Sequence, residues 1–371
     1  MRVLVTGGAG FIGSHVAEAL LARGHEVRAL DNLDPQVHGP AAQRPARLPS
    51  DVELIIGEVR DRAALARALD GIDAVVHLAA AVGVGQSMYQ VEHYIGVNSG
   101  GTATLWELLI ERRDRIRKVV VASSNTVYGE GLYACAACGP LAPRVRPAAQ
   151  LQQGRWEIEC PRCGALCQPS ATPETKLPAP QSPYALTKYD QERLCLLLGR
   201  AYGIPAVALR LFNVYGPGQS LSNPYTGAAA IFACRALNGQ SPVIYEDGLQ
   251  TRDLVHVRDI ARAVTRALES EVSDEVFNLG TGQPTGILEL AAKICERLGA
   301  NVRPQVVGKF RAGDIRHCTA DLTRANAVLG FEPTISLDQG LDDLLDWAHG
   351  QEAADRFATA ERELTERGLS R

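Results

Sequence analysis

Lysine is scarce in this chain of 371 residues: it occurs only at positions 118, 176, 188, 293 and 309, and the other basic side chains are arginines. A lysine at helical spacing from a reactive side chain is therefore more informative here than usual. Positive charge is not in excess either. The formal charge of −4 at pH 7 gives no reason to expect nucleic acid or an acidic membrane as a partner. No apolar run is long enough to span a bilayer, and Met1-Arg2-Val3-Leu4-Val5 enters a strand pattern with no leader-like segment before it. A cytoplasmic enzyme or binding protein is expected. Repeats and low-complexity tracts are missing. The length allows two domains, or one large α/β unit with an appended lobe.

What is present begins with glycine. Arg2–Thr6 has the pattern of a short strand, Gly7-Gly8-Ala9-Gly10-Phe11-Ile12-Gly13 that of a turn, and the residues to Arg23 that of a helix closed by Gly24. Glycines at these intervals let backbone approach a pyrophosphate at a helix N-terminus. The second strand, Glu26–Leu30, runs into Asp31, 18 residues past Gly13. A carboxylate there can bind an adenosine ribose diol and would repel a 2′-phosphate, so NAD is favoured over NADP. Further strands are expected at Val52–Ile56, Ala74–Ala80, Lys118–Ala122 and Ala206–Leu211, with a loop over 32–50 and a helix opening at Asn98. This alternation predicts a doubly wound parallel sheet, with its ligand at the carboxyl ends of the strands near Gly7–Gly13, Ala79 and Ser124. Helices are also expected near 227–238, 287–298 and 338–348. The Ala-, Glu- and Arg-rich tail 350–371 is expected to be a solvated or frayed helix.

Two side-chain groupings stand out. Tyr184 and Lys188 are four residues apart and share a helix face, where an ammonium can lower a phenol's pKa and make it an acid/base near neutrality. Before them, Cys135-Ala136-Ala137-Cys138-Gly139 and Cys160-Pro161-Arg162-Cys163-Gly164 form two knuckles separated by 21 residues. That spacing fits a closed, four-thiolate structural zinc site at Cys135, Cys138, Cys160 and Cys163. Disulfides, redox cysteines or no metal are the alternatives, and Cys167 could replace one ligand. Cys195, Cys234, Cys295 and Cys318 are isolated and fit buried small apolar positions.

Taken together, the glycine turn, Asp31, His77-Leu78-Ala79-Ala80, Asn98, Ser123-Ser124, Tyr184/Lys188, Leu209–Asn213, Arg252-Asp253 with His256, and Arg311-Ala312-Gly313-Asp314 resemble the extended short-chain dehydrogenase/reductases. More narrowly they are similar to the nucleotide-sugar epimerase/dehydratase branch. The resemblance covers roughly 1–350 apart from the cysteine-rich segment. It implies an α/β Rossmann fold, a doubly wound parallel sheet with a smaller C-terminal substrate-binding lobe, to which the cysteine spacing adds an inserted zinc ribbon. The NAD-binding domain would span 1–212 with the insertion at 131–172. The substrate lobe would span 213–349, with about 249–275 returning to the first domain, and 350–371 would be a charged tail.

The resemblance also implies roles. Gly7, Gly10 and Gly13 would hold the NAD pyrophosphate, Asp31 the adenosine ribose, and Glu58 and Val59 the adenine, with Phe11, Ile12 and Asn32 also on the cofactor. Ala79, Ala80, Asn98 and Ser123 would complete the cofactor site. Ser124, Tyr184 and Lys188 would be catalytic, with Lys188 also on the nicotinamide ribose. Gly85, Ser87, Ser124, Asn213, Arg252, Arg311 and Asp314 would meet a nucleotide-diphosphate sugar; two guanidiniums suit a diphosphate as permanently charged partners. His256 and His317 would hold loops by hydrogen bonds. No acid follows Ser124 (Asn125 and Thr126 do), which disfavours water elimination and leaves 4-epimerisation ahead of net redox chemistry. A dinucleotide-sensing protein without activity is the non-enzymatic alternative. Ala81–Tyr89 with the two knuckles is similar to the branch acting on dTDP-L-rhamnose, with UDP-hexoses and UDP-uronic acids as rivals. A homodimer is expected. Gly129 and Tyr184 lie 55 residues apart, far more than the family needs, and the ribbon filling that excess is expected to be a flap over or beside the sugar pocket, or an oligomer contact.

Overall fold

A computed structural model describes residues 1–39, 43–311 and 313–371. Seven strands form its main sheet: β1 (Arg2–Thr6), β2 (Glu26–Asp31), β3 (Glu53–Ile56), β4 (Ala74–His77), β5 (Lys118–Ser124), β6 (Ala206–Leu211) and β7 (Glu275–Leu279). All neighbours are parallel, in the order β7-β6-β5-β4-β1-β2-β3. Such a sheet must be covered on both faces, and β5 shows how the sequence does it. Every residue of β5 is buried. Val120 faces a core shared with helix Phe11–Ala22 and helix Val257–Glu269. Val119 and Val121 face the opposite core, shared with Leu65, Trp106 and Leu196.

The order reverses direction between β1 and β4, which opens a crevice at their carboxyl ends. Gly7 leaves β1 at that point with φ +68°, and a Cβ there would meet the Ala79 nitrogen at 2.9 Å. The turn can pass so close to the end of β4 only without a side chain.

A further core collects Phe232, Leu290, Leu344 and Leu345 from helices Ala228–Leu237, Ile287–Arg297 and Leu337–Ala348, with Tyr215 and Ile244 from the short strands Asn213–Tyr215 and Val243–Ile244. The inserted segment has its own small core of Tyr133, Cys135, Ile158, Cys160 and Cys167. Its strands Leu132–Cys135, Gly139–Leu141 and Gln168–Thr172 join Thr319–Ala320 in a four-stranded sheet.

Three expectations need correction. Part of the 32–50 loop is helical, at Pro35–His38, where Asp34 accepts from the Gln36 nitrogen and Pro35 fills the first turn; residues 40–42 lie outside the described residues. The helix expected to open at Asn98 begins at Val91 and passes through a π-helical stretch, Ile95–Gly100, before Gly101–Ile110. The tail is not frayed but docked by one face: helix Phe357–Glu366 buries Phe357, Ala360 and Leu364 and leaves its other face exposed. Beyond it Arg371 exchanges backbone hydrogen bonds with Phe310. Among the described residues no helix is long and apolar enough to cross a membrane.

Candidate active site

The crevice continues into a cleft of about 460 Å³ lined by Gly7, Gly10, Phe11, Ile12, Gly13, Asp31, Asn32, Glu58, Val59, Ala79, Ala80, Ser123, Ser124, Tyr184, Lys188, Asn213 and Arg252. That volume lies within the usual range of ligand sites, about 300–1,000 Å³. Helix Phe11–Ala22 starts at Gly10 with no side-chain cap, so its first amides remain available to an anion. A Cβ at Gly13 would lie 2.2 Å from the Gly7 carbonyl oxygen, so glycine is what lets the helix close on the turn. Asp31 is fixed by the amides of Ala9 and Leu33, at 3.0 and 2.9 Å. Asn32 donates to Glu58 at 3.2 Å. An open helix end, a side-chain-free turn and a pinned carboxylate fit a dinucleotide.

Tyr184 and Lys188 sit in the first turns of helix Pro183–Tyr202, which Ser182 caps by accepting from the Ala185 nitrogen and which Pro183 starts. Burial pushes the Tyr184 phenol up, and a hydrogen bond with Ser124 works against that. The Ser124 hydroxyl itself is oriented by Thr126, accepting from its nitrogen at 3.2 Å and its Oγ1 at 2.9 Å. Burial lowers Lys188 to about 8, and its ammonium donates to Gln191 Oε1 at 2.7 Å. Gln191 Nε2 donates to Thr102 Oγ1 at 2.9 Å and lies 3.1 Å from His77 Nε2. Burial, assisted by the charge of Lys188, holds His77 down to about 3, so the ring is neutral. Two further acceptors line the cleft: Asn213 Oδ1 and Gln219 Oε1 are buried without a hydrogen-bond partner among the described residues, as expected of groups awaiting a ligand.

Other expected site residues lie outside the cleft lining. Asn98 spends its amide on the protein, accepting from the Ala81 nitrogen at 2.7 Å and donating to the Ala81 carbonyl and Thr187 Oγ1. Ser87 donates to the Val84 carbonyl at 2.7 Å. Gly85 faces Leu364 of the C-terminal helix. Arg311 stacks on Tyr245 at 4.0 Å and bridges to Ser370. Asp314 offers its carbonyl to Arg146 at 3.0 Å, and Ala312 of the same motif lies outside the described residues. His256 and His317 are engaged in hydrogen bonds away from the cleft.

The ribbon is not a flap over this cleft. Among the described residues, those lining it include none between Thr126 and Tyr184, because the insertion is drawn into a sheet with Thr319–Ala320 instead. Its four cysteines converge all the same. The sulfurs of Cys135, Cys138, Cys160 and Cys163 lie within 4.8 Å of one another, and Cys167 is outside that group. Gly139 and Gly164, which close the knuckles, have φ of +80° and +74°. Backbone amides of Arg162 and Cys163 bring the Cys160 thiol down to about 6, while hydrogen bonds with Cys163 and Cys160 push Cys138 up to about 12, so the four need a bound cation to be thiolates together.

Sequence reasoning missed Gln191 as the partner of Lys188, and His77 and Thr102 as the partners of Gln191. Gln191 could have been found at one helical turn from Lys188; the other two are brought in by the sheet.

The chain is similar to sugar-nucleotide enzymes. The model of the NAD dependent epimerase/dehydratase family matches residues 3–147 and 162–280. A dTDP-L-rhamnose 4-epimerase of Burkholderia thailandensis is 39% identical over 349 residues, covering 93% of this chain and 94% of its own. The UDP-glucose 4-epimerase of Thermotoga maritima, solved with UDP-glucose, superimposes with a TM-score of 0.76 at 31% identity, over 94% of this chain and 99% of its own. That of Thermus thermophilus, solved with NAD, gives 0.75 at 31% identity, over 95% and 100%.

Proposed function

Since the chain belongs to the NAD-dependent epimerase/dehydratase family, we propose that it inverts C4 of a nucleotide-diphosphate sugar, with dTDP-L-rhamnose as the leading substrate. The convergence of Ser124, Tyr184 and Lys188 on a cleft with a dinucleotide cradle at its other end carries this reading. Gly7, Gly10 and Gly13 would hold the pyrophosphate of NAD and Asp31 its ribose. Bound NAD supplies a hydride acceptor and donor. The chain supplies proton transfer and positioning. Tyr184 takes the C4 hydroxyl proton and returns it after the 4-keto sugar has turned on its diphosphate tether. Ser124 steadies that hydroxyl, and Lys188 favours the ionised phenol. Arg252 and Asn213 hold the nucleotide end.

Among the described residues lining the cleft, Lys188 and Arg252 are the fixed cations. With one at the reacting end and one on the diphosphate, none remains for a C6 carboxylate. A 6-deoxyhexose or hexose is favoured over a uronic acid on this ground, with UDP-hexoses as the second reading. The four cysteines are assigned a structural zinc: a tetrahedron with Zn–S of about 2.3 Å spaces its sulfurs by about 3.8 Å, within reach of the observed cluster. Four thiolates leave no open position for catalysis.

The test is Tyr184→Phe, assayed on dTDP-L-rhamnose, UDP-hexoses and UDP-uronic acids with products followed by NMR. Loss of a positioned acid/base costs about 10²–10⁴-fold in turnover, and NAD should remain bound. Near-normal turnover by this variant would remove Tyr184 from the mechanism.

A further inference from the structure

The insertion lies outside the cleft, yet a chain of contacts joins it to Arg252. Arg316 is completely buried. Its guanidinium is held by Glu157 of the insertion at 2.5 Å, by Glu246 at 2.9 Å and by Asp247 at 2.7 Å. Arg146, also of the insertion, binds Glu246 at 2.8 Å and the Asp314 carbonyl at 3.0 Å. Glu130 accepts from the backbone nitrogen of Arg316 at 2.9 Å. The fixed backbone of Arg316 then turns its carbonyl to the cleft side, where it accepts from the Thr251 nitrogen at 3.1 Å and from Arg252 Nη1 at 3.3 Å. A second path runs beside the first: Glu157 Oε2 lies 3.3 Å from His317 Nε2, and His317 Nδ1 lies 2.8 Å from Thr251 Oγ1.

We propose that the cysteine knuckles, closed on their metal, brace Arg252 for the substrate's diphosphate by way of Glu157, Arg316 and His317. The proposal rests on the reading of the cleft as a nucleotide-diphosphate site and adds the part that the insertion plays in it. Glu157 stands three residues before Cys160 and between the two knuckles, so the loop that reaches Arg316 is the one the metal would tie. Among the described residues, the guanidinium of Arg252 is otherwise held only by its neighbour Thr251, through the carbonyl at 2.8 Å. Loosening Arg316 frees Arg252 to leave the bound geometry. Glu157, Arg316 and His317 are thus positioning residues; none lines the cleft. Glu157 is held down to about 2 by His317 and Arg316, so its charge persists over the working pH range.

The experiment compares the full chain, as purified with its NAD and metal, with Glu157→Ala and Glu157→Gln. Binding of dTDP and UDP is measured by calorimetry, zinc and NAD content by direct analysis, and KM and kcat separately. Glu157→Ala is expected to weaken dTDP binding and raise KM about tenfold, equivalent to about 1.4 kcal/mol, with kcat, zinc and NAD unchanged. Glu157→Gln should fall between the two. Chelation of the metal should weaken dTDP binding in the same way, and added zinc should restore it. Unchanged dTDP binding by Glu157→Ala overturns the brace, as does parallel loss of NAD and dTDP, which marks a general loss of fold. Failure of the unaltered chain to bind either nucleotide would instead overturn the reading of the cleft on which the brace rests.

Discussion

Lys188 donates its ammonium proton to Gln191 Oε1 at 2.7 Å, and Gln191 in turn donates to Thr102 at 2.9 Å. The ammonium is therefore anchored from within the helix that carries it. Burial lowers Lys188 to about 8, and the Gln191 carbonyl favours the charged form. A lysine carries its charge below its pKa, so activity that needs the ammonium is present at neutral pH and falls as pH rises through about 8. In Gln191→Leu the charge loses its acceptor, the pKa drops further, and the alkaline limb of kcat moves to lower pH. A pH profile of the two proteins checks this; an unmoved limb would mean that Lys188 is not the group titrating there.

The glycine turn gives a second prediction. A Cβ on Gly13 would meet the Gly7 carbonyl oxygen at 2.2 Å and the Gly8 Cα at 2.7 Å, and both are backbone atoms that cannot rotate away. Gly13→Ala must push helix Phe11–Ala22 off the turn. Overpacking of this kind costs about 1–3 kcal/mol, and the helix end would no longer face the pyrophosphate. Purified Gly13→Ala should carry markedly less NAD per chain and melt at a lower temperature. NAD content equal to that of the unaltered chain would show that this end of the cleft does not hold the dinucleotide.

The C-terminal helix supplies the third. Glu363 accepts from the Tyr89 hydroxyl at 2.7 Å and the Tyr225 hydroxyl at 3.2 Å, and Arg367 stacks over the Tyr89 ring at 4.2 Å. Tyr225 lines the cleft. Its Cβ packs 2.9 Å from where a Gly83 side chain would begin, beside the hydroxyl of Tyr94. Tyr94 meets Tyr184 edge to face, with ring centroids 6.3 Å apart. The tail thus steadies the wall next to Tyr184. Hydrogen bonds to a charged acceptor contribute about 1.5–3 kcal/mol each when partly buried. Glu363→Ala should raise KM several-fold and lower the melting temperature, as steady-state kinetics and thermal unfolding would show. Unaltered KM and melting would reduce the helix to a passive appendage.

Much of this molecule could be read from local chemistry. The glycine turn, Asp31 and the strand ends each lie within a few residues of the element that positions them, so local pattern places them in the crevice. The two knuckles are legible for the same reason. The Tyr184/Lys188 pair instead gains its place from the motifs around it and the family resemblance. Arg311 and Asp314 are different, because their destination is decided by Tyr245, Ser370 and Arg146, which are far away in sequence. The tail carried a usable signal that was outweighed by its charge: Phe357, Ala360 and Leu364 recur at helical spacing and are the residues it buries. The helix at Val91–Ile110 was misplaced because Gly96, Gly100 and Gly101 depress local propensity, while packing of Val97 and Trp106 in the core overrides it.

The clasp on Arg316 also has a consequence for how the chain is made. Arg316 follows Glu157 by 159 residues, and strand Thr319–Ala320 is needed to complete the insertion's sheet. At about 5–20 residues per second of synthesis, the knuckles would leave the ribosome roughly 8–30 s before their docking partner. During that interval the thiols are exposed to whatever metal or oxidant the surroundings offer. The order of events during translation, more than affinity in the finished fold, would then decide which occupant the cysteines keep.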